Sequence, residues 1–226
     1  MTRSLTRKLT LFCILLSISL LGCQTGPESR SVPAPPPKVL IIGDSISIGY
    51  FEPTKALLCG TADVIHNPGN AQHTAYGLDQ LNEWVGETRW DVIHFNHGLH
   101  DLKYADEQGK LVAVDEGKQQ IPIDEYACNL EELTVRLKKT DAALIFATTT
   151  PIPERAHGRV KGDEVYYNNV ARAIMTKHGV AINDLYSFAL GRLDTIQQPR
   201  NVHFTEEGSR QLGRQVAMHI LAALEQ

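Results

Sequence analysis

Lys38-Val39-Leu40-Ile41-Ile42 runs straight into Gly43-Asp44-Ser45-Ile46-Ser47. The first five residues are an apolar run of strand length, Gly43 and Asp44 punctuate it, and the chain then looks helical. A strand that turns into a helix opens a βα unit. The same alternation continues downstream. Strand candidates are Lys38–Ile42, Ala62–His66, Asp91–Phe95, Ala143–Thr148 and Val180–Asn183. Helix candidates lie near Thr54–Leu58, Ala75–Val85, Asp124–Lys139, Glu164–His178 and Thr205–Leu224, the last with Thr205 as N-cap and acidic residues in its first turn. Strands alternating with helices predict an α/β protein, a three-layer α/β/α sandwich around a central parallel sheet.

Ligands of such sheets bind beyond the carboxyl ends of the strands. The chemistry-bearing residues cluster there: Ser45 after the first strand, the Gly69 turn after the second, Gly98–Asp101 after the third and Thr148–Pro151 after the fourth. His203 enters the last helix. A serine at a strand-to-helix turn is held where backbone N–H groups meet developing negative charge, and a nearby base can activate it. The competing roles are capping for Ser45 and packing on the last helix for His203.

The segment G-D-S-x-S resembles the first block of the SGNH (GDSL-like) hydrolases, and three further blocks follow in order. Asn67-Pro68-Gly69-Asn70-Ala71-Gln72-His73-Thr74 falls where the family has a glycine-containing turn. Gly98-Leu99-His100-Asp101 falls where it has G-x-N-D, and Val202-His203-Phe204-Thr205-Glu206-Glu207-Gly208 resembles the block of the catalytic histidine. The resemblance spans residue 38 to about residue 220. It implies a flavodoxin-like strand order and a serine ester hydrolase that works through an acyl-enzyme, with Ser45 as nucleophile and His203 as base. Gly43, Asp44, Gly98, Asp101 and Asn201 would support the motifs. Oxyanion donors would be the Ser45 N–H, an N–H of the second turn from either Gly69 or Gln72, and His100.

Two positions depart from that pattern. His100 stands where the family has asparagine; a neutral imidazole still has one N–H to donate. Asn96 is no substitute, since in extended chain it lies about 13 Å away. The acid three residues before the histidine is replaced by Arg200, with Asn201 next to it. A backbone carbonyl, Asn201, Glu154 or Asp184 remain as partners, or hydrolysis is slow or absent. His94, His97 and His100 recur every third residue, but along a strand these positions alternate faces over about 20 Å. No metal and no other cofactor is expected, and Trp84 and Trp90 read as core.

Arg3, Arg7 and Lys8 precede an apolar run from Leu9 to Leu21, a secretory signal pattern over residues 1–22. Leu20-Leu21-Gly22-Cys23 resembles a bacterial lipobox, which implies lipidation of Cys23 and a membrane-anchored lipoprotein of the bacterial cell envelope. Residues 23–37, with Pro33-Ala34-Pro35-Pro36-Pro37, read as an extended tether, and residues 38–226 as one domain. Without the three basic signal residues, 19 Lys and Arg face 26 Asp and Glu, a net charge of −7. With no basic cluster in the sequence, nucleic acid is not an expected partner. Cys59 and Cys128 either form a disulfide in an oxidising compartment or are buried thiols.

The polar stretch Lys103–Ile123 is long for a loop, with a hairpin turn expected at Glu107–Lys110 leading into Leu111–Val114; it is read as a wall of the substrate cleft. The functional expectation is removal of acetyl or another small acyl group from carbohydrate. The alternatives are a lysophospholipase or short-chain lipase, and a degenerate glycan-binding domain without turnover.

Overall fold

The computed structural model describes residues 34–225. The signal segment, Cys23 and the tether before Ala34 lie outside the described residues. The strand Lys38–Ile42 (β1) forms as expected, with its last four residues almost wholly buried. Each such Ile, Leu or Val contributes about 1.5–3 kcal/mol on full burial. With Asp63–His66 (β2), Val92–Phe95 (β3), Ala143–Ala147 and Ala181–Asn183 it makes one parallel sheet. These last two are β6 and β7, because Tyr104–Ala105 (β4) and Lys118–Gln119 (β5) form a separate antiparallel pair. The order β2-β1-β3-β6-β7 is the expected flavodoxin-like one.

Helices cover both faces. Ser45–Leu57 (α1) and Glu206–Leu224 (α7) pack on each other, while Thr74–Val85 (α2), Ile123–Lys138 (α3) and Asp163–His178 (α4) form a row. Two short helices, Leu185–Leu190 (α5) and Leu193–Ile196 (α6), follow β7 and have no counterpart among the sequence expectations. The first helix is longer than its sequence candidate, beginning at Ser45 rather than near Thr54. Gly49 and Pro53 conceal it as helix breakers, yet both serve the contact with α7. Gly49 faces Ser209, and the Pro53 ring lies against Gly213, where a Cβ would come within 2.8 Å of it. Trp84 and Trp90 are core residues.

The disulfide expectation is corrected: Cys59 and Cys128 are free and exposed. Cys59 follows α1 and Cys128 lies within α3, so their helices belong to different packing layers of the sandwich. The thiols are not buried either. The excursion after β3 is tied at its neck, where Gln120 N–H donates to Lys103 O and Ile121 N–H to Asp101 O. Its turn at Asp106–Lys110 forms, but the strand expected after it is reduced to one bridge, Ala105 to Leu111; β4 takes Lys118–Gln119 as its ladder partner instead.

Candidate active site

Ser45 is the first residue of α1, and His203 sits in the loop before α7. Across 158 residues of chain, Ser45 Oγ lies 2.9 Å from His203 Nε2. Both side chains are half-buried. On the far side of the ring, Nδ1 is 2.7 Å from Asn201 Oδ1, which also accepts the backbone N–H of His203 at 3.1 Å. That backbone group can only donate, so the amide atom facing the ring is its oxygen. Asn201 Nδ2 is turned the other way and donates to Gln198 Oε1 at 3.1 Å. The ring therefore carries its proton on Nδ1 and offers the Nε2 lone pair to Ser45.

This loop is built by Gln197-Gln198. A bridge joins Gln197 to Phe204, and Arg200 takes a left-handed backbone, φ 58°, in the turn that swings Asn201 back to the imidazole. The side chain of Gln197, buried, donates to Pro151 O at 2.8 Å and to Val202 O at 3.2 Å, fixing the loop to the segment after β6. Sequence reading missed both glutamines; the only available signal was a run of side-chain amides where an acid was absent. The other carboxylate candidates are occupied elsewhere. Glu154 pairs with Lys161 at 2.9 Å on the surface, and Asp184 caps α5 and meets Arg172 at 2.7 Å.

On the Ser45 side, Asp44 caps α1 by accepting the Ile46 N–H at 2.9 Å. As the first helical residue, Ser45 has no acceptor for its N–H inside the helix, which leaves that donor available. The second turn hangs on Gly43: its N–H donates to Asn67 Oδ1 at 2.9 Å, and its carbonyl accepts the Ala71 N–H at 3.0 Å. Gly43 leaves no room for a side chain, since a Cβ would stand 2.7 Å from Ser47 Oγ. Of the two candidate donors in this turn, the Gln72 N–H is held by Asn70 Oδ1 at 2.8 Å, while the Gly69 N–H meets no acceptor among the described residues.

The Gly98–Asp101 loop also has defined roles. At Gly98, φ is 154° and a Cβ would fall 1.9 Å from Thr149 Oγ1, so only glycine fits. Asp101 is fully buried and accepts both the N–H and the hydroxyl of Thr74, at 2.8 and 2.6 Å, which fastens this loop to the start of α2. Burial pushes its carboxyl up to about 7 despite those hydrogen bonds. Burial also holds His100 down, to about 3, and the charges of Lys103 and Arg159 act in the same direction. The His100 ring is thus neutral, and its buried Nδ1 has no partner among the described residues. Asn96 is committed to Ala147 O at 2.7 Å. His94 is buried beside Asn183, and His97 Nδ1–H donates to Gln72 O at 3.2 Å, so these two histidines bond within the fold. Behind the nucleophile turn, Ile46, Tyr50, Leu99 and Thr150 help to line a cavity of about 10 Å³. Two clefts of about 480 Å³ lie along the excursion and between α1 and α7; neither is lined by Ser45 or His203.

No protein-family model matches the sequence, and no curated protein matches it. Solved structures do resemble the fold. The acetyl xylan esterase AlAXEase superposes with a TM-score of 0.67 at 17% identity, over 81% of this chain and 99% of that one. A lipase/acylhydrolase from Enterococcus faecalis gives 0.68 at 21%, over 82% and 96%. Axe2, an acetylxylan esterase from Geobacillus stearothermophilus, gives 0.67 at 18%, over 83% and 94%. At these identities the likeness establishes architecture: the chain shares, over nearly all of its described length, the α/β fold of these enzymes.

Proposed function

We propose that the chain is an SGNH (GDSL-like) serine ester hydrolase that removes small acyl groups from carbohydrate. The observation that carries this reading is the 2.9 Å contact between Ser45 Oγ and His203 Nε2 at the carboxyl edge of the sheet. Asn201 holds the Nδ1 proton, so Nε2 takes the Ser45 proton as Oγ attacks the ester carbonyl. The tetrahedral oxyanion is met by the Ser45 N–H, the Gly69 N–H and the neutral His100 ring. His203 then protonates the leaving alcohol, and a water activated by the same ring hydrolyses the acyl-enzyme. Asn201 supplies orientation without the negative charge of an acid, so the imidazolium is less supported than in a full triad.

The choice of a small acyl group on carbohydrate is supported by the acetyl xylan esterases that share the fold. By sequence, the signal and lipobox would anchor the enzyme through Cys23 in a bacterial envelope.

The test is fluorophosphonate labelling of the purified protein, with turnover of p-nitrophenyl acetate, acetylated xylo-oligosaccharide and lysophospholipid. Labelling and acetyl release, both lost in Ser45→Ala, are expected. Labelling that survives Ser45→Ala reassigns the nucleophile, turnover of lysophospholipid alone makes the protein a lipase, and neither labelling nor turnover makes it a binding domain. Anchoring is read by detergent-phase partitioning, which Cys23→Ala should abolish.

A further inference from the structure

One side of the proposed site is cationic in a chain that is acidic overall. Arg159 comes from the segment after β6, and its Nε–H donates at 3.2 Å to Leu99 O, the residue before His100. The adjacent Gly158 carbonyl accepts the Tyr104 N–H at 2.7 Å, which stitches this segment to the neck of the excursion. Lys103, at that neck, turns its ammonium to Gly109 O at 3.2 Å. Among the described residues neither Arg159 nor Lys103 forms an ion pair, and the terminal guanidinium nitrogens of Arg159 have no hydrogen-bond partner. His100, the residue after Leu99, is neutral, and its buried Nδ1 is also unpartnered among the described residues.

The charge of buried Asp44 reaches Arg159 and works against the effect of burial, but that carboxylate caps α1 and makes neither a hydrogen bond nor an ion pair with the guanidinium, and Asp101 is committed to Thr74. Burial and the Arg159 charge push the Lys103 ammonium below its usual range, and burial does the same to Arg159. Half-desolvated cations with no directly bonded counter-ion are costly, and a bound anion relieves that cost. A guanidinium with both terminal nitrogens free matches the planar, two-oxygen face of a carboxylate.

We propose that Arg159, assisted by Lys103, receives a carboxylate carried by the substrate beside its ester, so that the preferred substrate is an acylated sugar acid rather than a neutral acylated sugar. This rests on the esterase reading above, with the ester carbonyl at Ser45 and the carboxylate on the His100 side. A phosphate on the same sugar is the other anion such a site could attract; the single guanidinium fork favours the carboxylate.

The test compares kcat/KM of the full-length protein on an O-acetylated galacturonic acid, its carboxamide and an O-acetylated galactose phosphate. The acid should be preferred over the carboxamide by tenfold or more, with the preference shrinking as salt rises. Arg159→Gln should lower the acid-to-carboxamide ratio at least tenfold, Lys103→Gln about threefold, and Arg159→Lys should recover part of it. Equal turnover of acid and carboxamide, a ratio unmoved in Arg159→Gln, or a preference for the phosphate would overturn the proposal. If no ester is turned over, calorimetric titration of Ser45→Ala with the same three compounds decides. Binding of the acid alone, lost on adding Arg159→Gln, upholds the carboxylate site while the esterase reading fails; binding without preference, or none, overturns the site.

Discussion

The two ends of the Ser45–His203 pair are held by different means. Ser45 stands on the sheet, with β1 buried behind it, Asp44 capping its helix, and both polar groups of Gly43 bonded to the neighbouring turn. His203 stands on a loop between α6 and α7, held by the side-chain amides of Gln197, Gln198 and Asn201. A buried strand and a capped helix hold the Ser45 end; at the His203 end the loop backbone is closed by the Gln198 N–H to His203 O, and neutral side-chain amides orient the ring. The second arrangement orients without adding charge, and for that reason activity should be far more sensitive to the atoms of the pair than to the group behind the imidazole.

The largest effect falls on the pair itself. Ser45→Ala and His203→Ala should each reduce acetyl-ester turnover by about 10⁴-fold or more, and the double variant should lose no more than either, because the two act as one unit. Additive losses, measured by steady-state kinetics, would break the picture of a single proton-transfer pair.

Asn201 comes next. Asn201→Ala removes the acceptor for Nδ1–H and frees the ring to turn, and a loss of about 10²–10³ is expected. Asn201→Asp keeps the acceptor and adds the missing charge; the gain should be about threefold to tenfold, with the acidic limb of the pH–rate profile moving to higher pH as the imidazolium becomes better supported. The gain is limited because Gln198 Oε1, now accepting from Asn201 Nδ2, would face a carboxylate oxygen and must turn its amide away from Phe204 O. A profile unmoved in Asn201→Asp would show that Asn201 is not the group behind the ring.

The same contrast explains what the sequence disclosed. The placement of Ser45 was legible because local grammar writes it: an apolar run, a Gly-Asp turn, a serine at a helix start. The parallel sheet followed from the alternation of elements, and its strand order from the family resemblance. The partner of His203 was left open among a backbone carbonyl, Asn201, Glu154 and Asp184, since Asn201 reaches the ring through a left-handed turn at Arg200, which no residue preference of arginine signals. Nor could the spacing of Cys59 and Cys128 show that they belong to separate packing layers. The beginning of α1 was blurred by Gly49 and Pro53, whose value lies in a contact with α7 more than 150 residues away.

The nucleophile side has a pH-sensitive joint of its own at Asp101. Its folded-state carboxyl sits at about 7 against 3.8 in an open chain, so between those values the unfolded chain releases a proton that the folded one keeps. The stability it contributes is fully present below about pH 3.8 and is lost as pH rises through about 7. Asp101→Asn cannot ionise and keeps an oxygen for Thr74. Stability of the variant minus that of the wild type, from denaturant midpoints, should therefore rise with pH across this window, by at most about 1.4 kcal/mol per pH unit. Parallel curves would mean that Asp101 is already ionised in the folded protein.

Gln197 tests the opposite end with the smallest expected effect. Gln197→Leu strips hydrogen bonds from Pro151 O and Val202 O, each a buried carbonyl contact, but it also removes a buried Oε1 that has no partner among the described residues. The two changes partly offset, so a net loss of about 1–2 kcal/mol is expected. Activity should fall about tenfold, because the loop keeps its bridge to Phe204 and its turn at Asn201 while losing its fastening to Pro151 in the segment after β6. A stability loss with unchanged turnover would show that the turn around Asn201 alone positions the imidazole. The base would then be held as locally as the nucleophile, and the distinction between the two ends would fail.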